Sequence, residues 1–145
     1  MPMPDKYVVW VVDTKAANFE LVRNSVPNPA HIEFRHIPTA AEFLDELAKR
    51  ANDPEKIVPH IIFIDFFLGE TFANEIIPQI VDMFEAQPQR RPYLVAFSSM
   101  PTANTAMLQI GADWDILKIK EAEKIPEIEQ LLGSKEAIAK QLGHI

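Results

Sequence analysis

The run from residue 60 to residue 69 reads HIIFIDFFLG, and it is the most apolar stretch of the chain. A short continuous apolar run is typical of a strand covered on both faces, as in a parallel sheet flanked by helices. The run contains one carboxylate, Asp65, where the strand should end. In open parallel sheets the ligand crevice lies just outside the carboxyl ends of the strands. Asp65 is therefore a candidate functional residue, although a helix cap would also place an acid there.

Four more segments have the composition of strands, and helical patterns separate them. The predicted strands cover residues 7–12, 31–36, 60–65, 93–97 and 115–119, and the predicted helices cover residues 15–26, 39–52, 73–86, 102–110 and 121–132. Alternating strands and helices imply parallel strands joined by right-handed crossovers. The sequence therefore predicts an α/β fold with a doubly wound, five-stranded parallel sheet. We expect the flavodoxin-like (βα)5 strand order 2-1-3-4-5.

Capping residues and prolines refine the predicted ends of the helices. Thr39 begins a capping-box pattern at the second helix. Pro78 lies inside the third helical pattern, which predicts a late or irregular start there. Pro126 is compatible with the fifth helix only in its first turn. Ser134 can cap a last short helix through residue 142, so we expect one domain over residues 1–132 followed by a short C-terminal helical tail over residues 133–145.

Composition excludes several classes of function. The chain has 145 residues and a net charge of -7, and its adjacent basic residues are limited to the pairs Lys49-Arg50 and Arg90-Arg91. Direct binding of DNA or RNA is not expected, because phosphate recognition needs a clustered basic face. The absence of cysteine excludes disulfides, thiolate zinc sites and a cysteine nucleophile. No run approaches the length of about 18 apolar residues that spans a bilayer, and the first residues lack a signal-peptide core, so we expect a cytoplasmic protein.

The predicted sheet brings polar side chains together at one rim. Asp13 follows the first strand and Asp65 the third, while the Ser98-Ser99 hydroxyls follow the fourth and Lys118 lies near the end of the fifth. One or two carboxylates with phosphate oxygens suit Mg²⁺. A carboxylate beside that ion is a candidate nucleophile toward phosphorus, and lysine and hydroxyl groups can stabilise phosphoryl oxygens.

Four stretches in this order resemble one known family. They are Val11-Val12-Asp13, the segment from Ile62 to Gly69, Ala96-Phe97-Ser98-Ser99, and the segment from Gly111 to Lys118, which is similar to the pattern Gly-Ala-x-x-aromatic-x-x-Lys-Pro. Over about residues 7–132 the chain resembles the receiver domain of two-component response regulators, the CheY-like superfamily. The resemblance implies a phosphorelay signalling protein and not an enzyme, beyond Mg²⁺-dependent self-phosphorylation and dephosphorylation.

The resemblance also implies roles for individual residues. A histidine kinase or phosphotransfer protein would donate a phosphoryl group, and the protein would signal by altered binding to a downstream partner. The implied site residues are Asp65 as phosphoacceptor, Asp13, Asp65 and the Phe67 backbone carbonyl as Mg²⁺ ligands, Ser98 in preference to Ser99 as switch hydroxyl, and Lys118 as the family's lysine.

Three positions depart from the family pattern. Thr14 stands where a second acid is usual, which removes a negative charge and should weaken Mg²⁺ binding. Asp115 stands where an aromatic is usual, and Ile119 where a proline is usual after the lysine. These departures keep a second reading open, in which the chain is a non-phosphorylated pseudo-receiver that acts only as a protein-interaction module.

A third reading is an enzyme on the same fold, such as a phosphatase-like or nucleotide-binding protein, but the chain has neither a glycine-rich phosphate loop nor a Gly-x-Ser-x-Gly elbow. His31, His36, His60 and His144 lack metal-ligand spacing and are interpreted as strand-end or surface residues. Trp10 and Trp114 are interpreted as packing residues. We expect a stand-alone receiver, and its tail could either cover the domain or make a contact in a homodimer.

Overall fold

The computed structural model describes residues 3–143, and its central element is a five-stranded parallel sheet. Strands in chain order are β1 (Tyr7–Val12), β2 (Ile32–Ile37), β3 (Ile61–Ile64), β4 (Phe67–Leu68), β5 (Thr71–Phe72), β6 (Tyr93–Ala96) and β7 (Trp114–Asp115). The main sheet has the order β2-β1-β3-β6-β7, with every neighbouring pair parallel. Strands β4 and β5 form a separate antiparallel hairpin directly after β3. Without this hairpin, the order is the predicted 2-1-3-4-5.

Helices cover both faces of the sheet, as the doubly wound prediction required. They are α1 (Ala16–Asn24), α2 (Ala40–Ala51), α3 (Ala73–Met83), α4 (Pro101–Gln109), α5 (Pro126–Leu132) and α6 (Lys135–Gln141), and 3-10 turns lie at Pro29–His31 and Pro88–Arg90. Strand β3 shows why its sequence is apolar throughout. Phe63 belongs to the cluster that packs against α1, α5 and α6, while Ile62 belongs to the cluster that packs against α2, α3 and α4. Both side chains are fully buried.

The structure corrects three boundaries. Strand β7 contains only Trp114 and Asp115, so Lys118 lies in the loop beyond it and not inside the predicted strand 115–119. Helix α3 begins at Ala73 and contains Pro78, so the late start expected from that proline is wrong. Helix α5 begins at Pro126. This is the first helical position, where the missing N–H has no helical partner in any case.

Capping predictions agree with the structure. The Thr39 hydroxyl accepts a hydrogen bond from the Glu42 N–H at 3.2 Å, and the Ser134 hydroxyl accepts one from the Ala137 N–H at 3.0 Å. Helix α6 then packs Ile138 and Ala139 into the core. The described part of the tail therefore covers the domain.

The two tryptophans have different environments. Trp10 is 2% exposed and makes an edge-on contact with Phe43, which confirms the packing interpretation for this residue. Trp114 is 53% exposed, so the same interpretation is wrong there. The cause is its place on β7, an edge strand of the sheet with no outer neighbour to pack against.

The described histidines lie at strand ends, as expected, and are held by backbone groups. His31 and His36 contact the carbonyl oxygens of Leu132 and Asp13, each at 2.7 Å, and the His60 Nδ1 accepts from the Val8 N–H at 3.0 Å. His144 lies outside the described residues. Within residues 3–143, no helix is long and apolar enough to cross a membrane.

Candidate functional site

The parallel register brings two acids together at the carboxyl edge of the sheet. Val12 in β1 pairs with Ile64 in β3, so Asp13 and Asp65, the next residues, leave the sheet side by side. Lys118 reaches both of them. Its Nζ lies 2.7 Å from the Asp13 Oδ2 and 3.3 Å from the Asp65 Oδ1. Three of the residues predicted from the sequence therefore form one ionic cluster.

Asp13 is the buried acid of the cluster, and both of its carboxylate oxygens have protein donors. Its side chain is 2% exposed. The Oδ1 accepts from the Lys15 N–H and from the Asn18 Nδ2, both at 2.9 Å, while the Oδ2 accepts from the Lys118 ammonium. Both oxygens are therefore engaged by protein donors. Such a carboxylate is well placed to hold the lysine and poorly placed to receive a new ligand.

Asp65 is the partly exposed acid of the cluster, and its contacts fall on one carboxylate oxygen. Its side chain is 15% exposed, and its Oδ1 accepts from the Phe66 N–H at 2.9 Å. The Lys118 contact falls on the same oxygen, which leaves Oδ2 for an incoming group. Burial raises the pKa of the Asp65 carboxyl above its ordinary value, and the nearby Asp13 charge adds to this. The Lys118 ammonium and the Phe66 N–H oppose that rise by favouring the ionised form.

Ser98 and Ser99 differ in position. Ser98 is 2% exposed and lies two residues beyond β6, whereas Ser99 faces solvent. The Ser98 Oγ accepts from the Met100 N–H at 3.1 Å, at the start of α4. Of the two hydroxyls, Ser98 is the one that lies inside the fold, just beyond β6, the strand next to β3.

Phe67 lies in the hairpin that follows Asp65. Its ring is 44% exposed and contacts the rings of Phe66 and Phe72, with centroids 5.0 and 5.5 Å away. Gly69 makes the hairpin turn at φ 72°, a left-handed conformation that a side chain would strain. Three mutually packed aromatic rings, Phe66, Phe67 and Phe72, therefore lie in the segment directly after Asp65.

The departures from the family pattern lie on the surface. Thr14 and Asp115 are both exposed. Thr14 follows Asp13 directly, so an exposed neutral hydroxyl stands where the family pattern has a second acid. Asp115 lies on the edge strand with no aromatic ring to pack over Ser98. Both differences affect the region that the resemblance had assigned to metal binding and switching.

A magnesium ion has few available ligands at this site. Among residues 3–143, no group of three or more histidine or acidic side chains is arranged to hold a metal. Mg²⁺ can be bound by one or two carboxylates together with water and phosphate oxygens, and Asp65 offers a free oxygen. Asp13 would have to share Lys118 or Asn18. The donor set therefore fits a hard-cation site at which the ion would compete with Lys118, and the weakening expected from Thr14 stays a prediction.

Sequence reasoning missed two buried asparagines. Asn18 is 9% exposed and holds Asp13, while Asn104 is 1% exposed and bonds to Ser98. The sequence did contain a signal for these two residues, because asparagine is a poor residue for a helix interior. Asn18 also lies three and four residues before Leu21 and Val22, on the buried face of α1. An asparagine on that face needs hydrogen-bond partners.

Comparisons with known proteins support the fold. No protein-family model matches the chain, and no curated protein does. Solved receiver structures do match. The phosphorylated cyanobacterial phytochrome response regulator RcpA has 15% identity and a TM-score of 0.67, covering 88% of this chain and 94% of that one. The beryllofluoride-activated DrrB receiver domain has 18% identity and a TM-score of 0.61, covering 97% and 99% of the two chains.

A CheY-like receiver domain protein from Methanospirillum hungatei JF-1 is similar at 19% identity and a TM-score of 0.60, covering 96% of this chain and 95% of that one. At this level of identity the likeness concerns the fold. The chain thus has the CheY-like receiver fold over nearly its whole length, as the resemblance implied.

Proposed function

We propose that the chain is a phosphorelay receiver that accepts a phosphoryl group on Asp65 and signals by altered protein binding. The observation that carries this proposal is the asymmetry of the acidic pair. Asp65 is 15% exposed with its contacts on one oxygen, whereas Asp13 is 2% exposed with both oxygens engaged. A further support for the proposal is that Asp65 directly follows β3, and open parallel sheets bind ligands just outside the carboxyl ends of their strands.

The chemistry is a phosphoryl transfer between a donor and the carboxylate. The Asp65 oxygen attacks phosphorus, a phosphorus–oxygen bond forms, and the bond to the leaving group breaks. A phosphohistidine of a histidine kinase or phosphotransfer protein would release a neutral imidazole after protonation. The Lys118 ammonium, held by Asp13, stabilises the added negative charge. Ser98 is the hydroxyl that would contact the phosphoryl oxygens after a local shift.

Magnesium belongs to the proposal as a weak cofactor. Asp65, the Phe67 backbone carbonyl and Asp13 are the groups that would hold it. When bound, the ion supplies charge neutralisation for the phosphoryl oxygens. Because Lys118 already supplies positive charge in the pocket, we expect phosphorylation to depend less on magnesium than at a site with two free acids. We also expect the affinity for magnesium to be lower than at such a site.

A second function has its own supporting observation. Asp13 is saturated by protein donors and Thr14 adds no charge, which favours a pseudo-receiver that binds partners without being phosphorylated. In both readings the chain is a signalling module and not a conventional enzyme. The proposal also keeps four expectations from the sequence. They are a downstream protein partner, a homodimer, a cytoplasmic location and no direct DNA binding.

Intact mass spectrometry after incubation with acetyl phosphate separates the two functions. We expect the native chain to gain one phosphoryl group that hydroxylamine removes, as an acyl phosphate requires. Asp65→Asn should not gain it. Asp82→Asn, an exposed acid on α3, is the matched control and should behave as the native chain does. No gain over a wide range of magnesium concentrations, in a folded protein, would favour the pseudo-receiver.

A further inference from the structure

Asn104 connects the site to the edge of the sheet. It lies in α4 and is 1% exposed. Its Oδ1 accepts from the Ser98 N–H at 2.9 Å, and its Nδ2 donates to the Ser98 carbonyl at 3.2 Å. The same Nδ2 lies 3.4 Å from the carbonyl of Ile116, which is a longer and weaker contact. One buried amide thus joins the end of β6 to the residue after β7.

The connection continues to the acidic pair through Lys118. The Lys118 backbone N–H donates to the Ser98 carbonyl at 2.9 Å, and the Lys118 ammonium lies between Asp13 and Asp65. The Asp65 carboxylate, Lys118, Ser98, Asn104 and the carbonyl after β7 therefore form one contiguous network. Coupling between sites travels through such networks of hydrogen bonds and ion pairs.

The far end of the network is exposed apolar surface. Trp114 in β7 is 53% exposed, and Leu117, next to Ile116, is 42% exposed. Asp115, which stands where the family resemblance would place an aromatic ring, is exposed. The buried amide of Asn104 takes a route that does not need this ring. Breaking its bonds would leave the buried Ser98 N–H and the Ile116 carbonyl without this partner, whereas the Ser98 carbonyl would keep its bond from the Lys118 N–H. Asn104 therefore ties the position of Ser98 to that of Ile116.

We infer that Asn104 is a positioning residue that couples the charge state of Asp65 to edge strand β7 by holding Ser98 and Ile116 in one network. The physiological trigger rests on the proposed function, because a phosphoryl group is what would change the charge at Asp65. The coupling itself is a property of the chain. The substitution Asp65→Asn, which removes one counter-ion of Lys118, triggers it without any phosphoryl group.

Heteronuclear NMR of the full chain tests the coupling. The reporter is the indole N–H of Trp114, assigned with Trp114→Phe, and the buried indole of Trp10 is the internal reference. We expect Asp65→Asn to shift the Trp114 indole and the backbone amide of Ile116. The shift should be lost in the Asn104→Ala background and kept in the Asn24→Ala background, in which an exposed asparagine at the end of α1 is removed.

A purely structural Asn104 would behave differently. Its removal would lower Tm but leave the response to Asp65→Asn intact, and that result would overturn the inference. An absent Trp114 response in the chain that retains Asn104 would also overturn it. If Asn104→Ala does not fold, the side-chain amide signals of Asn104 in the native sequence decide the matter. The inference requires these signals to shift on Asp65→Asn together with the Ser98 amide. If they do not shift, the coupling is overturned.

The proposed function and the coupling can fail separately. Acetyl phosphate that leaves the mass unchanged, together with an Asn104-dependent response to Asp65→Asn, would reject phosphoryl acceptance and retain the coupling. A phosphorylated Asp65 with an unchanged Trp114 signal would retain phosphoryl acceptance and reject the coupling.

Discussion

Lys118 is the residue that balances the charge of the site. Its ammonium is 3% exposed and lies within 3.3 Å of two carboxylates, of which Asp13 is nearer. Removing one partner of a buried ion pair leaves an uncompensated charge in a medium that solvates it poorly. The lysine therefore contributes to stability as well as to any chemistry at Asp65.

Replacing Lys118 with Met should destabilise the fold at neutral pH. We expect the free energy of unfolding to fall by about 3–5 kcal/mol, because Asp13 and Asp65 lose their shared cation. Urea unfolding followed by circular dichroism measures this. Lys120→Met, which removes an exposed lysine two residues away, should change stability by less than about 0.5 kcal/mol. Equal effects of the two substitutions would contradict the role of Lys118.

Asp65 should make the fold less stable as pH rises. Burial, the largest cause, raises its pKa in the folded state, so the folded chain binds more protons than the unfolded chain above the ordinary pKa. Stability from this group therefore decreases as pH rises from that ordinary pKa through the raised one. Asp65→Asn should be more stable than the native chain at neutral pH, and the difference should shrink in acid.

Urea unfolding of both proteins over a series of pH values measures that difference. The exposed control Asp82→Asn should show no comparable pH dependence. A native chain that equals or exceeds Asp65→Asn in stability at neutral pH would mean that the Lys118 attraction outweighs the cost of burial.

At the scale of elements, α6 completes the core on one face of the sheet. Ile138 and Ala139 are fully buried in the same cluster as β1 and β3 residues. Gln141 in this helix also contacts the Tyr93 hydroxyl of β6 at 2.5 Å. The sequence predicted the helix and its Ser134 cap, but its apolar residues were too few to indicate which surface they would cover.

Truncating Ile138 should therefore have the cost of a core substitution. We expect Ile138→Ala to lower the free energy of unfolding by about 2–5 kcal/mol, because it removes buried methyl groups and leaves a cavity. Ile57→Ala, at a side chain that is 66% exposed, is the matched control and should cost less than about 0.5 kcal/mol. Denaturant unfolding gives both values. A small effect at Ile138 would show that α6 is only loosely attached.

At the scale of the molecule, periodicity and apolar runs were enough to predict the sheet. Each central strand is buried on both faces, so its composition is unambiguous. The hairpin β4–β5 could not be predicted as strands from the sequence, because two-residue strands have no periodicity. The edge strand β7 was predicted too long. The Ile116 and Lys118 N–H groups still donate to the Ala96 and Ser98 carbonyls, but the regular strand ends at Asp115.

The candidate site was predictable as far as strand ends determine it. Asp13 and Asp65 meet because parallel strands end at one edge, and Lys118 joins them from a loop 105 residues after Asp13. The contacts of Asn18 with Asp13 and of Asn104 with Ser98 depend on how helices pack, which a single sequence does not specify. That both Asp13 oxygens accept from protein donors, which weakens the argument for magnesium binding, could therefore be recognised only in the structure.

The central claim is that Asp65 is a reactive carboxylate with room for a phosphoryl group. Fluorine NMR with beryllofluoride, a phosphoryl analogue, tests it most directly, because this ligand binds at equilibrium and requires neither a competent donor nor a long-lived product. Magnesium should be varied widely. The account predicts bound fluorine signals for the native chain and for Asp82→Asn, and none for Asp65→Asn. A folded native chain without any bound signal, or one whose signals persist in Asp65→Asn, would contradict it.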